Sequence, residues 1–173
     1  MINDHALDAL FREARTHRNW LDQDVSDALL QATYELAKFG PTASNEQPMR
    51  VIFLKSDAAK EKIKSALSAS NHERALSAPV IAIIAYAKID GKTNDYLLRN
   101  SSLSGAYMIM AARAVGLDCL PMSGFDNAKA DATFFPDGLH KTNFLIALGH
   151  GDTAKLQQPR KPRLGFDDAC QIL

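Results

Sequence analysis

Apolar side chains recur along this chain with two spacings, and the change between them separates helices from strands. A spacing of three and four residues over positions 4–14 predicts an amphipathic helix that Asn3 or Asp4 can cap. The same pattern recurs after Ser26 and ends at Gly40-Pro41, where a helix cannot continue. Three more helices are predicted from residue 57 onward, over about 96–115, and from residue 126 or 127 to 134.

Four shorter runs are apolar at nearly every position, which is typical of buried strands. They cover residues 51–54, 80–85, 117–120 and 144–149. The run 80–85 contains no polar side chain, so it is predicted to lie in the centre of a sheet. A chain of this length is predicted to form a single domain over residues 1–173.

The predicted helix over 96–115 is unusual because much of its surface is small, including Ser101, Ser104 and Gly105. A glycine inside a helix costs roughly 0.5–1 kcal/mol relative to alanine, so Gly105 is expected to permit close approach of a neighbour. That neighbour is either a second copy of the helix or the sheet of the same subunit.

Composition excludes several classes of partner. The 173 residues are 46% hydrophobic, and 20 basic side chains balance 20 acidic ones, which gives no electrostatic footprint for nucleic acid or an anionic membrane. The longest apolar run, residues 79–87, is far shorter than the roughly 20 residues that cross a bilayer. Two scattered cysteines and no recognisable targeting segment favour a reducing cytoplasm. The five histidines have no metal-ligand spacing, so we expect no metal site.

The stretch from Gly40 to Arg50 is the first candidate for binding. Its two prolines interrupt regular structure, and Thr42, Ser44, Asn45 and Gln47 offer small polar groups between them. Such a segment can face a flat polar ligand or another subunit. An ordinary helix-to-strand connection rich in turn formers is the alternative.

A second candidate is the basic segment Arg15-Thr16-His17-Arg18-Asn19-Trp20. Two guanidinium groups beside a hydroxyl suit a phosphate dianion, because charge-assisted bidentate bonds compete well with water. The alternative is a solvated helix end whose cations complement the helix dipole.

Three further segments carry polar groups beside predicted strands. Asn71 and Arg74 precede the central strand and can either read a ligand or form an exposed capping turn. The amides of Ser123 and Gly124 would be free donors if the preceding strand ends near residue 120. From 150 to 163 the chain reads as an extended basic arm. The apolar residues that follow it argue that the end is docked rather than disordered.

Taken together, these segments resemble the nitroreductase family of FMN-dependent oxidoreductases. Residues Pro41-Thr42-Ala43-Ser44-Asn45-Glu46-Gln47-Pro48 are similar to the family's Pro-Ser-Ser-x-Asn-x-Gln-Pro motif, and Arg15-Thr16-His17-Arg18 to its Arg-Ser-x-Arg/Lys motif. Asn71 to Arg74, Pro121 to Phe125, and Lys161-Pro162-Arg163 match its remaining segments in the same order. Within the family, the residues of these motifs are most similar to those of the branch that contains malonic semialdehyde reductases.

The resemblance implies an α+β fold with a mixed β-sheet flanked by helices. It also implies an intertwined homodimer that binds FMN at its interface and oxidises NADH or NADPH. Hydride would pass to flavin N5 and then to a nitro compound, quinone, enal or semialdehyde in a ping-pong cycle, so no catalytic side chain is required. A flavin-binding or structural dimer without turnover, and a relative that fragments flavin or removes halide, are the alternatives.

The cofactor-binding residues are carried over from the family by position. Asn71 and Arg74 are implied to contact the pyrimidine edge of the flavin. The residues implied at the phosphate and ribityl end are Arg15, Thr16, Arg18, Lys161 and Arg163. Thr42, Ala43 and Asn45 are implied to reach the flavin of the other subunit. The full set is Arg15, Thr16, Arg18, Pro41, Thr42, Ala43, Asn45, Asn71, Arg74, Pro121, Ser123, Gly124, Lys161 and Arg163.

Two departures from the family pattern have consequences. Ser123 stands where many members have Glu, and Ala43 where many have Ser, so backbone rather than side-chain contacts are expected there. Between residues 86 and 99 the chain has a short polar connection where relatives commonly carry a helical excursion over the flavin. We therefore expect an open pocket that admits bulky or varied electron acceptors.

Overall fold

A computed structural model describes residues 2–156 and 158–173 of the chain. Four strands alternate with seven α-helices, and three short 3₁₀ turns lie in the connections. In chain order the elements are α1 (Asp4–Leu7), α2 (Asp27–Ala37), β1 (Met49–Leu54), α3 (Asp57–Lys64), α4 (His72–Leu76), β2 (Val80–Ala87), α5 (Asn94–Ala114), β3 (Asp118–Met122), α6 (Asn127–Phe134), β4 (His140–Gly149) and α7 (Phe166–Ala169).

One four-stranded sheet organises the fold, in the order β1-β2-β4-β3. All three pairings between these strands are antiparallel. The α+β class is therefore confirmed. Within the described residues, the parallel component of the predicted mixed sheet is limited to one isolated bridge between Thr16 and Cys119.

The central strand β2 is buried along both faces, as its apolar sequence predicts. Ile81 and Ile83 face one core layer, whereas Val80, Ala82 and Ile84 face the other. This alternation follows from the two-residue period of a strand. Helices α3, α4 and α6 adjoin the first layer, and α2 and α5 adjoin the second.

Helix boundaries follow the capping residues. The side chains of Asn3, Ser26, Ser56, Thr93 and Asp126 each accept a hydrogen bond from an amide in the first turn. The helix predicted over 4–14 is an α-helical turn that continues as a π-helical segment, Asp8–Arg12. These caps explain why five helices begin within two residues of their predicted starts.

Strand β3 runs two residues further than the predicted segment and includes Pro121. It lies at the edge of the sheet, where a proline without an N–H removes no hydrogen bond from the interior. The strand therefore ends at Met122, directly before Ser123.

The structure decides between the two explanations for the small surface of α5. A Cβ added to Gly105 would lie 2.5 Å from Cζ of Phe144 and 3.5 Å from Cγ2 of Ile84. Both neighbours belong to the sheet of the same chain. The glycine is thus required for helix-to-sheet packing.

The last ten residues end in apolar side chains that face solvent in the single chain. Ile172 is 85% exposed, and Leu164, Phe166 and Leu173 are also exposed. A docking surface for this end is therefore not provided by the described residues of the same subunit. No helix in the described part of the chain is long and apolar enough to cross a membrane.

We expect Gly105→Ala to lower the free energy of unfolding by about 1–2 kcal/mol. Overpacking typically costs 1–3 kcal/mol, and the better helix propensity of alanine offsets up to about 1 kcal/mol of that. Urea denaturation of the wild type and the variant measures the difference. The loss should shrink when Phe144→Leu removes the ring edge that lies 2.5 Å away. An equal loss in both backgrounds would exclude this contact as the cause.

Candidate functional site

Two isolated bridges fix the basic segment 15–20 against the edge of the sheet. Thr16 pairs with Cys119 in β3, and Trp20 pairs with Gly151 just after β4. Between them, His17 is 5% exposed and packs directly on Gly151, where an added Cβ would lie 2.2 Å from the imidazole ring. His17 is therefore a packed residue that helps to hold the segment 15–20 in place.

Asp118 completes this anchor. One carboxylate oxygen accepts a hydrogen bond from the Gly151 amide at 2.8 Å, and the other lies 3.5 Å from Nε2 of His17. Because His17 is turned inward, its neighbours Thr16 and Arg18 remain exposed at the surface.

The basic arm lies against the amino-terminal segment and is joined to it by two arginines. Arg15 donates to the carbonyl oxygen of Gln158, and Arg160 donates in the opposite direction to the carbonyl oxygens of Ala14 and Phe11. A guanidinium group can reach two carbonyls at once because its donors form a planar fork. This reciprocal clasp brings together residues that are more than 140 positions apart.

The clasp encloses a cleft of about 870 Å³ between the amino-terminal segment, α5 and the arm. Asp152 is the one acidic side chain among the described residues that line it. The basic residues lining it are Arg12, Arg15, Arg18, Arg113, Lys155, Arg160, Lys161 and Arg163. Such an excess of positive charge in a concave site favours a multiply charged anion.

All five residues predicted for the phosphate end line this cleft: Arg15, Thr16, Arg18, Lys161 and Arg163. The structure adds Arg12, Arg113, Lys155 and Arg160, which were not among the predicted site residues. Arg160 was detectable, since it directly precedes Lys161, but Arg113 reaches the cleft through the path of α5, which the sequence does not reveal.

A second polar cluster lies beyond the other end of β3. Asn71 Nδ2 donates to the carbonyl oxygen of Gly124 at 3.0 Å, and the Ser68 amide donates to the same oxygen at 3.0 Å. A Cβ on Gly124 would lie 2.7 Å from Asn71 Nδ2 and 2.9 Å from Ser68 Oγ. A side chain at position 124 would therefore displace Asn71 or Ser68 from its present place.

The amides of Ser123 and Gly124 lie between β3 and α6 and belong to neither element. Both residues are exposed, and within residues 2–156 and 158–173 neither amide has a protein acceptor. The prediction that these are available donors is consistent with this geometry, although the strand ends at Met122 rather than Leu120. Pro121 lies in the last part of the same strand.

Arg74 is near this second cluster, at the end of α4. Its carbonyl oxygen accepts a hydrogen bond from Trp20 Nε1 at 3.3 Å, which ties α4 to the basic segment. Strand β3 thus separates two polar regions, and five residues at about 3.3 Å each correspond to roughly 16 Å.

The loop between α2 and β1 is not among the residues that line the cleft. Its backbone is left-handed at Ser44 (φ 53°), Asn45 (φ 55°) and Gln47 (φ 47°). Asn100 on α5 holds it from behind, because Asn100 Oδ1 accepts the Ala43 amide at 2.8 Å. Pro41, Thr42, Ala43 and Asn45 are therefore presented together but apart from the other predicted residues.

An ion pair that sequence reasoning missed joins this loop to the connection before α5. Lys92 Nζ lies 2.7 Å from a carboxylate oxygen of Glu46 and 4.8 Å from the centre of the Tyr96 ring. The hydrogen bond from Lys92 lowers the pKa of the Glu46 carboxyl below its usual value, and the same bond raises the pKa of Lys92. Each partner therefore favours the charged form of the other.

The thiol of Cys119 is buried inside the fold. Burial raises the pKa of the Cys119 thiol to about 12, so it is inert at neutral pH. Within the described residues, no cluster of three or more His, Cys, Asp or Glu could hold a metal ion.

Comparison with known proteins identifies what this arrangement resembles. The sequence model described as the nitroreductase family matches residues 11–75. A protein from Ralstonia nicotianae, provisionally named NADH dehydrogenase/NAD(P)H nitroreductase, is 48% identical over 188 residues that cover 96% of each chain.

Two solved structures share the fold at lower identity. One is a provisionally named nitroreductase from Exiguobacterium sibiricum in complex with FMN, with a TM-score of 0.85, 15% identity, and coverage of 100% of this chain and 99% of that one. The other is a provisionally named NAD(P)H:FMN oxidoreductase from Staphylococcus epidermidis, with a TM-score of 0.85, 19% identity, and coverage of 99% and 97%.

We expect Glu46→Gln to lower the melting temperature only where both partners of the ion pair are charged. The lowered pKa of Glu46 means that its contribution is present above pH 4.5 and is lost as pH falls through the folded-state pKa. The raised pKa of Lys92 means that the contribution is also lost as pH rises above 10.5. Thermal unfolding of both proteins from pH 3 to 11 measures this window, and a difference that does not shrink as pH falls below 4.5 would contradict it.

Proposed function

This chain belongs to the nitroreductase family, and we propose that it is an FMN-dependent NAD(P)H oxidoreductase that acts as a homodimer, with residues 1–173 forming one domain. The observation that carries the proposal is the cleft in which cations from both ends of the chain converge. The chain as a whole has no net charge, so its composition does not account for this local concentration of cations.

The cleft fits the phosphate end of FMN. A phosphate monoester is a dianion with several acceptor oxygens, and guanidinium and ammonium groups bind it through short, charge-assisted hydrogen bonds. Arg18, Lys161 and Arg163 line the cleft, and the exposed Thr16 adds a hydroxyl beside them. Arg15 and Arg160 are engaged with backbone carbonyls, so we assign them to holding the arm as well as to the field in the cleft.

The second cluster suits the flavin ring. The pyrimidine edge of a flavin carries both donors and acceptors, and we assign Asn71 and Arg74 to it. The exposed amides of Ser123 and Gly124 are assigned to the neighbourhood of N5. Arg74 places a positive charge at this end, which favours acceptance of electrons by a neighbouring redox group. The roughly 16 Å spanned by β3 is the scale of an extended mononucleotide.

The chemistry that FMN supplies when bound is hydride transfer from NADH or NADPH to the flavin and onward to an acceptor, in a ping-pong cycle. The protein residues bind and orient the cofactor and set the charge around it. We assign no side chain as nucleophile or metal ligand. The acceptor is proposed to be a nitro compound, quinone, enal or semialdehyde.

A second subunit would complete the site. Phe39 is 78% exposed, and Leu103 and Tyr107 are also exposed on the same side, since Tyr107 contacts Gly40. Contiguous exposed apolar groups mark association surfaces. The loop carrying Thr42, Ala43 and Asn45 lies outside the cleft of its own chain, which supports its assignment to the flavin of the partner.

The connection after β2 supports an open acceptor side. Between β2 and α5 there are six residues, 88–93, without a helix of their own. We propose that large and small acceptors therefore both reach the flavin. Equal exclusion of large and small acceptors in turnover assays would contradict this.

We expect the purified protein to be yellow and to lose its visible flavin absorption when NADPH or NADH is added without oxygen. Absorption spectra before and after addition measure this, and heat-released cofactor identifies FMN. A yellow protein that neither nucleotide bleaches would favour a flavin-binding dimer without turnover. A colourless protein that takes up no FMN would exclude the proposal.

We expect Arg163→Ala to weaken FMN binding by roughly 1.5–3 kcal/mol, because charged hydrogen bonds to the phosphate are lost. This corresponds to a Kd roughly 10 to 150 times higher. Riboflavin, which lacks the phosphate, should bind the variant as it binds the wild type.

Lys62→Ala, which removes an exposed cation on α3 away from the cleft, is the matched control. Fluorescence titration gives all the dissociation constants. Unchanged FMN affinity in the Arg163 variant would remove this residue from the site.

A further inference from the structure

We propose that the Glu46–Lys92 ion pair, with Asn100 behind it, positions the binding loop 41–47 for the flavin ring. Neither member of the pair is one of the residues that the family motifs assign to the cofactor. The inference rests on the proposed function, because it concerns the same FMN site. It assigns a role to the short connection 88–93, which holds Lys92.

The loop has a backbone that needs external support. Ser44, Asn45 and Gln47 all have positive φ values of 47–55°. Asparagine tolerates this region, but serine and glutamine adopt it infrequently. Left-handed conformations at non-glycine residues persist when surrounding contacts hold them, and they cluster at ligand-binding sites.

Contacts within the loop define its shape but do not attach it to the fold. Thr42 Oγ1 accepts the Gln47 amide at 3.0 Å, and Gln47 Nε2 donates to the Asn45 carbonyl at 3.2 Å. Both bonds would move with the loop as a unit. Something outside it must therefore fix its orientation.

Asn100 supplies the first external attachment. Its side chain is 3% exposed, accepts the Ala43 amide at 2.8 Å, and donates to the Tyr96 carbonyl at 2.9 Å. The oxygen and the nitrogen of the amide group are thus both engaged, one with the loop and one with the helix. This attachment holds the beginning of the loop against α5.

The Glu46–Lys92 pair supplies the second attachment. Glu46 lies between Asn45 and Gln47, at the centre of the left-handed stretch, and one of its oxygens is 2.7 Å from Lys92 Nζ. Its other carboxylate oxygen, Oε2, is buried without a hydrogen-bond partner among the described residues. The carboxylate is therefore paired with one cation from the connection 88–93, and that cation also lies 4.8 Å from the centre of the Tyr96 ring.

Loss of Lys92 would leave a buried carboxylate without its partner, and the simplest relief is movement of Glu46 toward water. Since Glu46 is part of the backbone turn that presents Thr42, Ala43 and Asn45, the loop would lose its fixed orientation on α5. Ligand binding must then order the loop, which lowers affinity. The predicted defect concerns the ring end of the cofactor and not its phosphate.

The test compares Lys92→Met with Lys64→Met, which breaks a similar ion pair on α3, where Lys64 lies 2.9 Å from Glu61. Dissociation constants for FMN and for riboflavin are measured by fluorescence titration, together with the visible circular dichroism of bound flavin. We expect Lys92→Met to raise both constants by the same factor, roughly tenfold, and to change the flavin dichroism. Lys64→Met should change neither.

Two further variants separate positioning from general stability. Glu46→Gln removes the same ion pair with little change in shape and should reproduce the equal loss for both ligands. Lys92→Arg keeps the charge and should restore most of the affinity and the dichroism. Melting temperatures of the apoproteins show whether each variant is folded.

The inference is overturned if Lys92→Met and Glu46→Gln bind FMN and riboflavin as Lys64→Met does, with an unchanged dichroism. It is also overturned if only FMN binding is weakened, or if Lys92→Arg is as defective as Lys92→Met. If the wild type itself binds neither ligand, the proposed function fails, and that result is distinguishable from failure of the ion pair alone.

Discussion

Repulsion between like charges is the constraint around which this molecule is built. Cations from the amino-terminal segment, from α5 and from the arm line one cleft, and charges at such separations repel one another appreciably near a protein surface. Two of the cations, Arg15 and Arg160, are turned onto backbone carbonyls and hold the two segments together. A bound dianion would relieve the remaining repulsion and gain hydrogen bonds. The same cations thus account for the repulsion within the cleft and for its proposed function.

Strand β3 sets the scale of the site. Its beginning anchors the basic segment through the bridge between Thr16 and Cys119 and through Asp118, and its end leads directly into the exposed amides of Ser123 and Gly124. The strand is held in the sheet by β4, which pairs with it over its full length. A change in that register would alter the distance between the phosphate and ring ends of the proposed site. The pairing of β3 with β4 therefore sets that distance.

The third part of the proposed site depends on different contacts. The loop 41–47 is attached to the amino-terminal part of α5 by Asn100 and Lys92, and α5 packs closely on the sheet because Gly105 admits the Phe144 ring. The left-handed backbone of the loop is thus supported by a rigid element rather than by its own hydrogen bonds. In the proposed dimer, packing in the core of one subunit would therefore hold the loop that reaches the flavin of the other.

The sequence by itself determined most of the helices and strands and predicted five of the residues that line the basic cleft. Continuous apolar runs specified the central strands, capping residues located the helix starts within one or two positions, and the order of the motifs identified the family, because all of these depend on local patterns. It did not determine the antiparallel pairing, the use of Gly105 against the sheet, the approach of Arg113 to the cleft, or the Glu46–Lys92 pair. Those features join residues that are distant along the chain, and only tertiary packing decides which distant residues meet.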